Sequence, residues 1–293
     1  MFPAKDYITG DKFSIHKCSG CGCVFTQFEP CDFGKYYQGP YYGRRKSFVE
    51  RLINYSRLRK VSGLSGNKIN LSVLDIGCGN GSFLSLLSKK GWEVSGTETA
   101  PESHFISDGI SARICKKDLI KCKFPDNKFD IITMWHTLEH FAGPKVYLSE
   151  AKRSLKSGGF LIAEIPNFGS FQSCLTRHNW FHLDVPRHLV HYDPKTVSSL
   201  LNSTGFSVLK ISHFSFIYGL FGFIQSIINV FTTRKNLLFD LLNGKLKFSR
   251  HILKDLLITF GVIVPVSLAG VPIVFLESSL KRGGVITVYA SKS

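Results

Sequence analysis

The chain has 293 residues, enough for one large domain or two smaller ones with a substantial buried core. Hydrophobic residues make up 44% of the sequence and charged residues 20%, which excludes a disordered or fibrous protein. The 37 Lys and Arg against 21 Asp and Glu give a net charge of +16. Nucleic acid, an acidic membrane surface and a phosphorylated substrate all fit such a charge.

Four of the eight cysteines lie between Cys18 and Cys31, and the others are scattered singly along the chain. This clustering predicts metal ligation in a reducing compartment rather than a disulfide framework. Cys18 and Cys21 form a Cys-x-x-Cys-Gly knuckle, which suits tetrahedral zinc and makes them the candidate metal ligands. One knuckle supplies half of such a site, with His16, Cys23 or Cys31 to complete it, so free thiols are the alternative. The N-terminus has no apolar signal-peptide core, and a cytosolic protein is expected.

The middle of the chain alternates short apolar runs with helical stretches, which predicts parallel strands in a doubly wound α/β sheet covered on both faces. The predicted strands are residues 72–76, 93–97, 112–115, 129–135, 160–165 and 206–211, and the predicted helices are 82–90, 146–155 and 194–203. The predicted domains are a Cys- and Tyr-rich segment (1–66), a core (67–213), an apolar insertion (214–283) and a final strand (284–293).

A loop with glycine at alternate positions follows the first predicted strand of the core. The glycines are Gly77, Gly79 and Gly81, with Asp75 before them and Cys78 among them. Missing β-carbons let the backbone approach a ligand, and the start of the following helix offers free N–H groups. The loop is a candidate cofactor site, although tight turns also use glycine for structural reasons alone.

Acidic residues stand after the next two predicted strands. Glu98 lies 21 residues beyond Gly77, where a carboxylate can accept hydrogen bonds from ribose hydroxyls. Asp118 and Leu119 come after the third strand, near the expected position of an adenine. Their register with the glycine loop favours a nucleotide-containing ligand.

Trp135, His136 and His140 follow the fourth predicted strand. Doubly wound sheets bind ligands at the carboxyl edge of their strands. We therefore expect these three side chains to lie beside the cofactor.

The segment Asp75–Gly81 resembles motif I of the class I S-adenosylmethionine (SAM)-dependent methyltransferases, and Leu155–Phe160 resembles the turn before their fifth strand. The resemblance extends over residues 70–213 and the terminal strand. It implies a Rossmann-like sheet with mostly parallel strands, an antiparallel seventh strand and an apolar helical insertion before that strand. It also implies SAM as the cofactor, with Glu98 on the ribose and Asp118 beside the adenine. The residues that it places around SAM are Asp75, Gly77, Cys78, Gly79, Gly81, Glu98, Asp118, Leu119 and Trp135.

Methyl transfer needs a base only if the acceptor must lose a proton. Residues 180–192 resemble the Trp…Asp-x-Pro-Arg-His-Leu stretch of a methyltransferase subgroup, many of whose members modify sugars, quinones or small lipids. His188 in this stretch is the first candidate base and His136 the second, with His140 beside it. The alternative is that the stretch fixes loop geometry by hydrogen bonds. The same subgroup often begins with a two-knuckle zinc ribbon, so half of that site is expected to be lost here.

Two stretches of the apolar insertion, 214–233 and 256–276, contain no charged residue, and each is long enough to cross a bilayer. Crossing would place six Lys and Arg between residues 234 and 255 on the non-cytosolic side, against the positive-inside tendency. Pro265 and Pro272 are also expected to interrupt the second stretch. We therefore expect helices in the interface of an anionic membrane, or a shallow re-entrant pair, with a cap over the active site or a dimer contact as the alternative.

The sequence thus predicts a cytoplasmic SAM-dependent methyltransferase, peripheral on the inner face of the cytoplasmic membrane. Its predicted acceptor is a small or lipid-linked molecule such as a quinone precursor, a sugar or a lipid. A nucleic-acid methyltransferase also fits the charge, but the Asn/Asp-Pro-Pro-aromatic motif of those enzymes is absent after strand four. A nicotinamide oxidoreductase and a non-catalytic binding protein of the same fold are two further hypotheses that the glycine loop allows.

Overall fold

The computed structural model describes residues 2–27, 33–37, 48–65, 70–100, 110, 113–246 and 252–293. Cys31 and the Tyr-rich residues 38–42 lie outside these ranges. The chain divides into two compact units. Unit 1 comprises Met1–Gln38, Ile165–Val197 and Ser212–Thr287, and unit 2 comprises Gly39–Glu164, Ser198–Ile211 and Val288–Ser293.

A seven-stranded sheet forms the centre of unit 2. Its strands are β4 (Ser72–Ile76), β5 (Glu93–Thr97), β6 (Ile114–Cys115), β7 (Phe129–Trp135), β8 (Leu155–Pro166), β10 (Phe206–Ser212) and β11 (Val285–Lys292). They lie side by side in the order β10-β11-β8-β7-β4-β5-β6. The pairs β4–β5, β4–β7, β5–β6 and β7–β8 are parallel. This mixed, mostly parallel α/β sheet confirms the predicted fold class.

Helices cover the sheet, and a continuous apolar cluster lies beneath them. The helices of unit 2 are α1 (Phe48–Ser65), α2 (Ser82–Ser88), α3 (Leu119–Cys122), α4 (Pro144–Ser154) and α6 (Pro194–Ser203). The cluster joins Leu58 and Val61 of α1 to Leu84 and Leu87 of α2 and to Val73 of β4. Burial on both faces explains why the strands are nearly continuous apolar runs.

The observed strands begin and end within two residues of the predicted bounds, except at the start of β8. This strand begins at Leu155, five residues before the predicted start, because Leu155 pairs with Phe129 ahead of an irregularity in the ladder. The predicted turn at Gly158 therefore lies inside the strand, with Gly158 at φ 70°.

Unit 1 contains a small sheet and a layer of apolar helices. The strands β1 (Pro3–Lys5), β2 (Lys12–Lys17), β3 (Val24–Gln27) and β9 (Val190–His191) form an antiparallel sheet in this order. The helices are α5 (Phe171–Thr176), α7 (Phe216–Phe231), α8 (Leu237–Leu242) and α9 (Leu253–Ser279). Within the described residues, α9 is the one helix that is long and apolar enough to cross a membrane.

The expectation that prolines would interrupt the second apolar stretch was wrong. Helix α9 continues through Pro265 and Pro272. Each proline removes one backbone hydrogen bond, to the carbonyls of Gly261 and Leu268. All four residues are exposed, so the freed carbonyls lie on the outer side of the helix and not in its packed face.

The sequence predicted metal ligation rather than a disulfide framework, and it gave no disulfide partner to the scattered cysteines; the structure differs for one pair. Cys115 and Cys122 form a disulfide across seven residues. The short helix α3 brings them together, because Cys115 ends β6 and Cys122 ends the helix that follows.

Candidate functional site

The glycine loop has the backbone geometry that only glycine adopts readily. Gly77, Gly79 and Gly81 have φ angles of 73°, 55° and 71°, in the left-handed region. A β-carbon on Gly77 would lie 2.5 Å from the hydroxyl oxygen of Thr137, which donates a hydrogen bond to the carbonyl of Ile76 at 3.0 Å. The loop therefore requires glycine for both conformation and space.

Helix α1 holds the end of this loop through side chains that the sequence did not single out. The Glu50 carboxylate accepts hydrogen bonds from the Asn80 amide at 2.8 Å and the Ser82 hydroxyl at 2.7 Å. The Asn54 amide donates to the same hydroxyl at 2.9 Å. These contacts fix the N-terminus of α2, where free backbone N–H groups favour an anionic or polar ligand.

Glu98 is buried at the end of β5, and its carboxylate faces the glycine loop. It accepts hydrogen bonds from the backbone amides of Gly79 at 2.9 Å and of Thr99 and Ala100 at 2.8 Å. A carboxylate has about four acceptor positions, so these bonds orient it and leave about one for a ligand hydroxyl. The predicted adjacency of Glu98 and the loop is present.

Asp75 lies beneath the loop and is fully buried. It accepts one hydrogen bond, from the Thr133 hydroxyl of β7 at 2.7 Å. Burial raises the pKa of Asp75 to about 7, against the lowering effects of that hydrogen bond and of Arg57. Burial likewise raises the pKa of the Cys78 thiol, with Asp75 and Glu98 adding to the shift, so Cys78 is a core side chain rather than a nucleophile.

Asp118 and Leu119 form the start of α3. Asp118 caps this helix by accepting a hydrogen bond from the Ile120 amide at 3.0 Å, and its other oxygen accepts from the Tyr147 hydroxyl at 2.6 Å. Leu119 is buried. The residues predicted to border the adenine are thus held in place by a helix cap, a hydrogen bond and the Cys115–Cys122 disulfide on either side of them.

Trp135 ends β7 and is buried with its indole N–H unpartnered among the described residues. Its ring meets Phe83 edge-to-face, with ring centroids 5.6 Å apart. Two cations of α1 lie over the ring, the Arg57 guanidinium at 5.1 Å and the Lys60 ammonium at 5.7 Å from its centroid. The carboxyl end of β7 therefore carries positive charge on an aromatic platform.

His136 lies between two buried carboxylates. Its Nδ1 is 3.5 Å from Glu139 and its Nε2 is 3.7 Å from Glu164, whose carbonyl also accepts the His136 amide at 2.8 Å. His136 has φ 54°, a conformation that costs a non-glycine residue about 1–2 kcal/mol and is found at functional sites. His140 follows one turn later, in the short 3₁₀ helix that contains Glu139.

Glu164 and Lys60 complete this cluster, and the sequence analysis missed both. They form an ion pair in which Glu164 is buried. Burial alone would raise the pKa of Glu164, but the charges of Lys60, His136 and Arg57 hold it below its usual range. The available signal was an acidic residue inside the apolar run 160–165. Nothing in the sequence indicated that α1 would bring Lys60 to it.

The histidines of residues 180–192 lie in unit 1 and are held by hydrogen bonds. His188 Nδ1 donates to the carbonyl of His182 at 2.8 Å, since a carbonyl oxygen can only accept. The Thr26 hydroxyl donates to the His188 carbonyl at 2.8 Å and lies 2.9 Å from His191 Nε2. In neutral His188 this arrangement leaves the basic lone pair on Nε2.

Arg187 is the anchor of that stretch. Its guanidinium is fully buried and donates to Asp184 at 2.6 Å and 2.9 Å, to Asp6 at 2.7 Å and to the Tyr36 carbonyl at 3.0 Å. It also lies 4.9 Å from the centre of the Tyr7 ring. The Pro-Arg-His sequence therefore fixes the N-terminal strands to the loop before β9.

The predicted metal ligands Cys18 and Cys21 form a turn, in which hydrogen bonds from the backbone of Cys21 and Gly20 lower the pKa of the Cys18 thiol. A thiolate is the form that binds metal. Among the described residues no third ligand side chain joins these two in a metal-binding group. Zinc at this turn remains a prediction.

The unit 2 residues fit a SAM molecule in their shape and chemistry. The glycine loop has a left-handed backbone that β-carbons would strain, Glu98 is oriented beside it, and the Trp135 indole N–H is buried without a partner among the described residues. SAM carries a methionine part, two ribose hydroxyls and an adenine, which such backbone amides, a carboxylate and an aromatic surface can bind.

The chain matches the family described as methyltransferase domain over residues 43–211. It is 27% identical over 125 residues to the ubiquinone biosynthesis O-methyltransferase of Cereibacter sphaeroides, which covers 40% of this chain and 51% of that protein. A crystal structure of a SAM-dependent methyltransferase from Archaeoglobus fulgidus has a similar fold, with a TM-score of 0.53 and 21% identity over 89% of this chain and 100% of that chain. The [4+2]-cyclase SpnF is also similar, with a TM-score of 0.50 and 17% identity over 88% of this chain and 90% of that chain.

These similarities differ in what they establish. A cyclase shares the fold, so the fold alone does not determine the reaction. The chain spans about half the length of the curated relatives it matches. Because the family match covers more than half of the chain, from α1 to the end of the sheet region, this chain belongs to the methyltransferase domain family and has the fold of the class I SAM-dependent methyltransferases.

Proposed function

We propose that the protein transfers the methyl group of SAM to a hydroxyl group of a small molecule. The observation that carries this proposal is His136, a strained histidine between two buried carboxylates at the edge of the sheet where the glycine loop also opens. Hydroxyl acceptors must lose a proton during transfer, and a histidine oriented by carboxylates is suited to take it.

SAM supplies an electrophilic methyl group on a positively charged sulfur. The residues of this chain would bind and orient it: the amides between Gly77 and Gly81 would hold the methionine part, Glu98 would accept a hydrogen bond from a ribose hydroxyl, and Asp118 with Leu119 would border the adenine. Methyl transfer is an in-line displacement, so correct positioning supplies much of the acceleration.

His136 is the base that the geometry favours, and His188 is the base that the sequence ranks first. In the proposed step, Nδ1 of His136 carries the ring proton, 3.5 Å from Glu139, and Nε2 takes the proton of the acceptor hydroxyl. Glu164, 3.7 Å from Nε2, then stabilises the charged ring. His188 donates its Nδ1 proton to a backbone carbonyl, so its Nε2 can also accept a proton. His140, in the 3₁₀ helix with Glu139, is the third candidate.

The acceptor class that we propose is a phenolic quinone precursor. The relative from Cereibacter sphaeroides carries the name of a ubiquinone biosynthesis O-methyltransferase. Sugars and lipids with a hydroxyl group are also compatible with the proposed base. Nucleic acid is disfavoured because Trp135 and His136 stand where base-modifying enzymes have their Asn/Asp-Pro-Pro motif.

Calorimetric titration tests the cofactor. SAM and its demethylated product should bind with similar affinity, and NAD should not bind. Replacing Gly77 by Ala should abolish binding, because the β-carbon meets Thr137 and the φ angle is unfavourable. Gly63→Ala is the matched control, because a β-carbon there meets nothing within 4 Å. A wild-type protein that binds NAD and ignores SAM would refute the proposal.

Transfer of a radiolabelled methyl group tests the acceptor. The full chain is incubated with labelled SAM and, in turn, with a phenolic quinone precursor, a sugar nucleotide, a hydroxylated lipid and transfer RNA. Label should appear on the phenolic oxygen. Labelling of RNA alone would contradict the proposal, and SAM binding without labelling of any acceptor would favour a non-catalytic binding protein.

A further inference from the structure

The outer side of helix α9 carries a continuous apolar stripe. Its large side chains are between 39% and 73% exposed and lie three or four residues apart, which places them on one side of the helix. These residues are Leu253, Leu257, Phe260, Val264, Leu268, Val271 and Phe275. Between Lys254 and Ser279 every exposed residue of α9 is apolar. Helical geometry makes the stripe about 33 Å long, and a continuous exposed apolar surface of this kind marks an interaction site.

The opposite side of α9 packs closely against α7. Val274 lies 3.4 Å from the position that a β-carbon on Gly219 would occupy. A β-carbon on Gly270 would lie 2.9 Å from the side chain of Leu220 and 3.1 Å from that of Phe223. The glycines thus let the two helices approach each other. The stripe is the face of α9 that this packing leaves uncovered within the described part of unit 1.

Buried carboxylates fix both ends of α9 to unit 1. Asp255 accepts hydrogen bonds from the backbone amides of Thr233 at 3.1 Å and Arg234 at 2.8 Å. Glu277 accepts a hydrogen bond from the side chain of Gln172 at 2.8 Å. The helix is therefore part of the folded layer, and its apolar face is a permanent surface feature.

The contacts of α7 argue that this helix pair does not cross a bilayer. In the C-terminal half of α7, Ser226 accepts a hydrogen bond from the backbone amide of Phe181 at 2.9 Å, and Asn229 donates to the carbonyl of Asn179 at 3.1 Å. Residues 177–183 form two short 3₁₀ turns. Irregular backbone of this kind is not exposed to lipid in the bilayer core, so the covered side of the pair faces protein while the α9 stripe faces outward.

Charge at the stripe is positive at both ends. Segment 214–283 contains eight Lys and Arg and three acidic residues. The acidic residues are all buried: Asp240, Asp255 and Glu277. Lys254 at the start of α9 and Lys281 and Arg282 just beyond its end are exposed. A second copy packed antiparallel on this stripe would bring these basic ends together, which disfavours self-association.

We propose that α9 lies in the plane of an anionic membrane, with its stripe in the boundary between headgroups and acyl chains and its basic ends on lipid phosphates. In-plane helices of this kind insert to a depth of about 5–10 Å and combine apolar burial with electrostatic attraction. The sequence-based expectation of several interfacial helices is thereby reduced to one face of one helix. Helix α7 stays in the protein.

Sedimentation with vesicles tests the surface. The full chain should bind vesicles of phosphatidylglycerol with phosphatidylcholine, and binding to phosphatidylcholine alone should be at least tenfold weaker. The triple variant Leu257→Gln, Phe260→Gln and Leu268→Gln should lose about a hundredfold in partitioning. The matched control changes three apolar residues of similar exposure away from the stripe: Val146→Gln, Leu175→Gln and Leu209→Gln. Equal loss in both triple variants would overturn the proposal.

The orientation of α9 in the membrane is tested by replacing Leu257, Val264 or Phe275 singly with Trp. These single variants give a result even if the triple variant does not fold. Lipids brominated on their acyl chains should quench all three positions to a similar, shallow depth. Deep quenching at position 264 with little at the other two would indicate a spanning helix and would overturn the proposal. Absence of quenching together with a dimer in analytical ultracentrifugation would assign the stripe to a second copy and overturn it as well.

Discussion

Two buried charged residues, Arg187 in unit 1 and Asp75 in unit 2, are compensated to different extents. In unit 1, the buried guanidinium of Arg187 has two carboxylates, a carbonyl and an aromatic ring around it. In unit 2, the buried carboxylate of Asp75 has one hydroxyl, from Thr133, and its pKa is raised to about 7. The first charge is compensated by the surrounding protein groups, whereas the second is compensated only in part, by Thr133 and Arg57.

This difference separates structural polar groups from those available to a ligand. A buried ion pair with all of its donors used fixes one loop conformation and leaves no group to bind anything else. Carboxylates and histidines that are buried near an open sheet edge with incomplete compensation are typical of sites that bind or react. We therefore propose that the Pro-Arg-His stretch fixes the loop conformation and that the reaction takes place near His136.

Loss of Arg187 should have the largest effect. Arg187→Leu leaves the buried Asp6 and the half-buried Asp184 without their cation, and breaking a buried pair in this way typically costs about 3 to 5 kcal/mol. Urea unfolding should show this decrease, while Arg113→Leu at an exposed position should change the free energy of unfolding by less than about 0.5 kcal/mol. A small effect of Arg187→Leu would mean that unit 1 does not depend on this charge.

Asp75 should make the free energy of unfolding fall as the pH rises, whereas an ion-paired carboxylate makes it rise. Its pKa of about 7 in the folded protein lies above the usual 3.8, so between these values the folded state binds more protons than the unfolded state. Its contribution to stability is therefore present at low pH and is lost as the pH rises towards 7.

Asp75→Asn should remove this dependence. Between pH 5 and pH 8 the free energy of unfolding of the wild type should fall by about 3 kcal/mol relative to the variant, from about 1.4 kcal/mol for each pH unit. Glu93→Gln, at an exposed position, is the control and should follow the wild type. Parallel curves for wild type and Asp75→Asn would show that Asp75 is compensated after all.

The sequence predicted the glycine loop and Glu98 of unit 2 better than the partners of Arg187 in unit 1, for a physical reason. Glycine at 77, 79 and 81 and an acid after the next strand are set by local backbone geometry, which spacing along the chain reveals. The partners of Arg187 include Asp6, which is 181 residues away, and no local pattern signals such a contact.

The absence of a local sequence pattern also explains the other differences between the predicted and the observed structure. Lys60 reaches Glu164 from a helix whose sequence gives no sign of its target, and the Cys115–Cys122 disulfide depends on the short turn of α3. Helix α9 passes through two prolines because their freed carbonyls face outward, which the hydropathy of the segment cannot show.

Replacing His136 or His188 tests kinetically which of the two histidines is the base. His136→Gln should lower kcat by about a hundredfold, equivalent to about 2.7 kcal/mol, because general-base catalysis typically supplies at least this factor. The dissociation constant for SAM should stay within about threefold. His188→Gln should lower kcat less, since its ring is engaged with the backbone of its own loop. A larger loss from His188→Gln would reverse the assignment of the base.

Tyr147 should give the smallest effect, because it contributes one hydrogen bond to a carboxylate that the fold already holds by a helix cap. Its hydroxyl donates to Asp118 at 2.6 Å, and burial together with the neighbouring Asp118 raises the pKa of Tyr147 to about 12. Tyr147→Phe removes that bond, and a net hydrogen bond contributes about 1 kcal/mol, so SAM affinity should fall by about fivefold. Tyr55→Phe, at an exposed position of α1, is the control and should leave SAM affinity unchanged. If Tyr147→Phe lowers only the unfolding temperature and calorimetry shows unchanged SAM affinity, Asp118 serves the helix cap alone, and the adenine must be bound by other residues of unit 2.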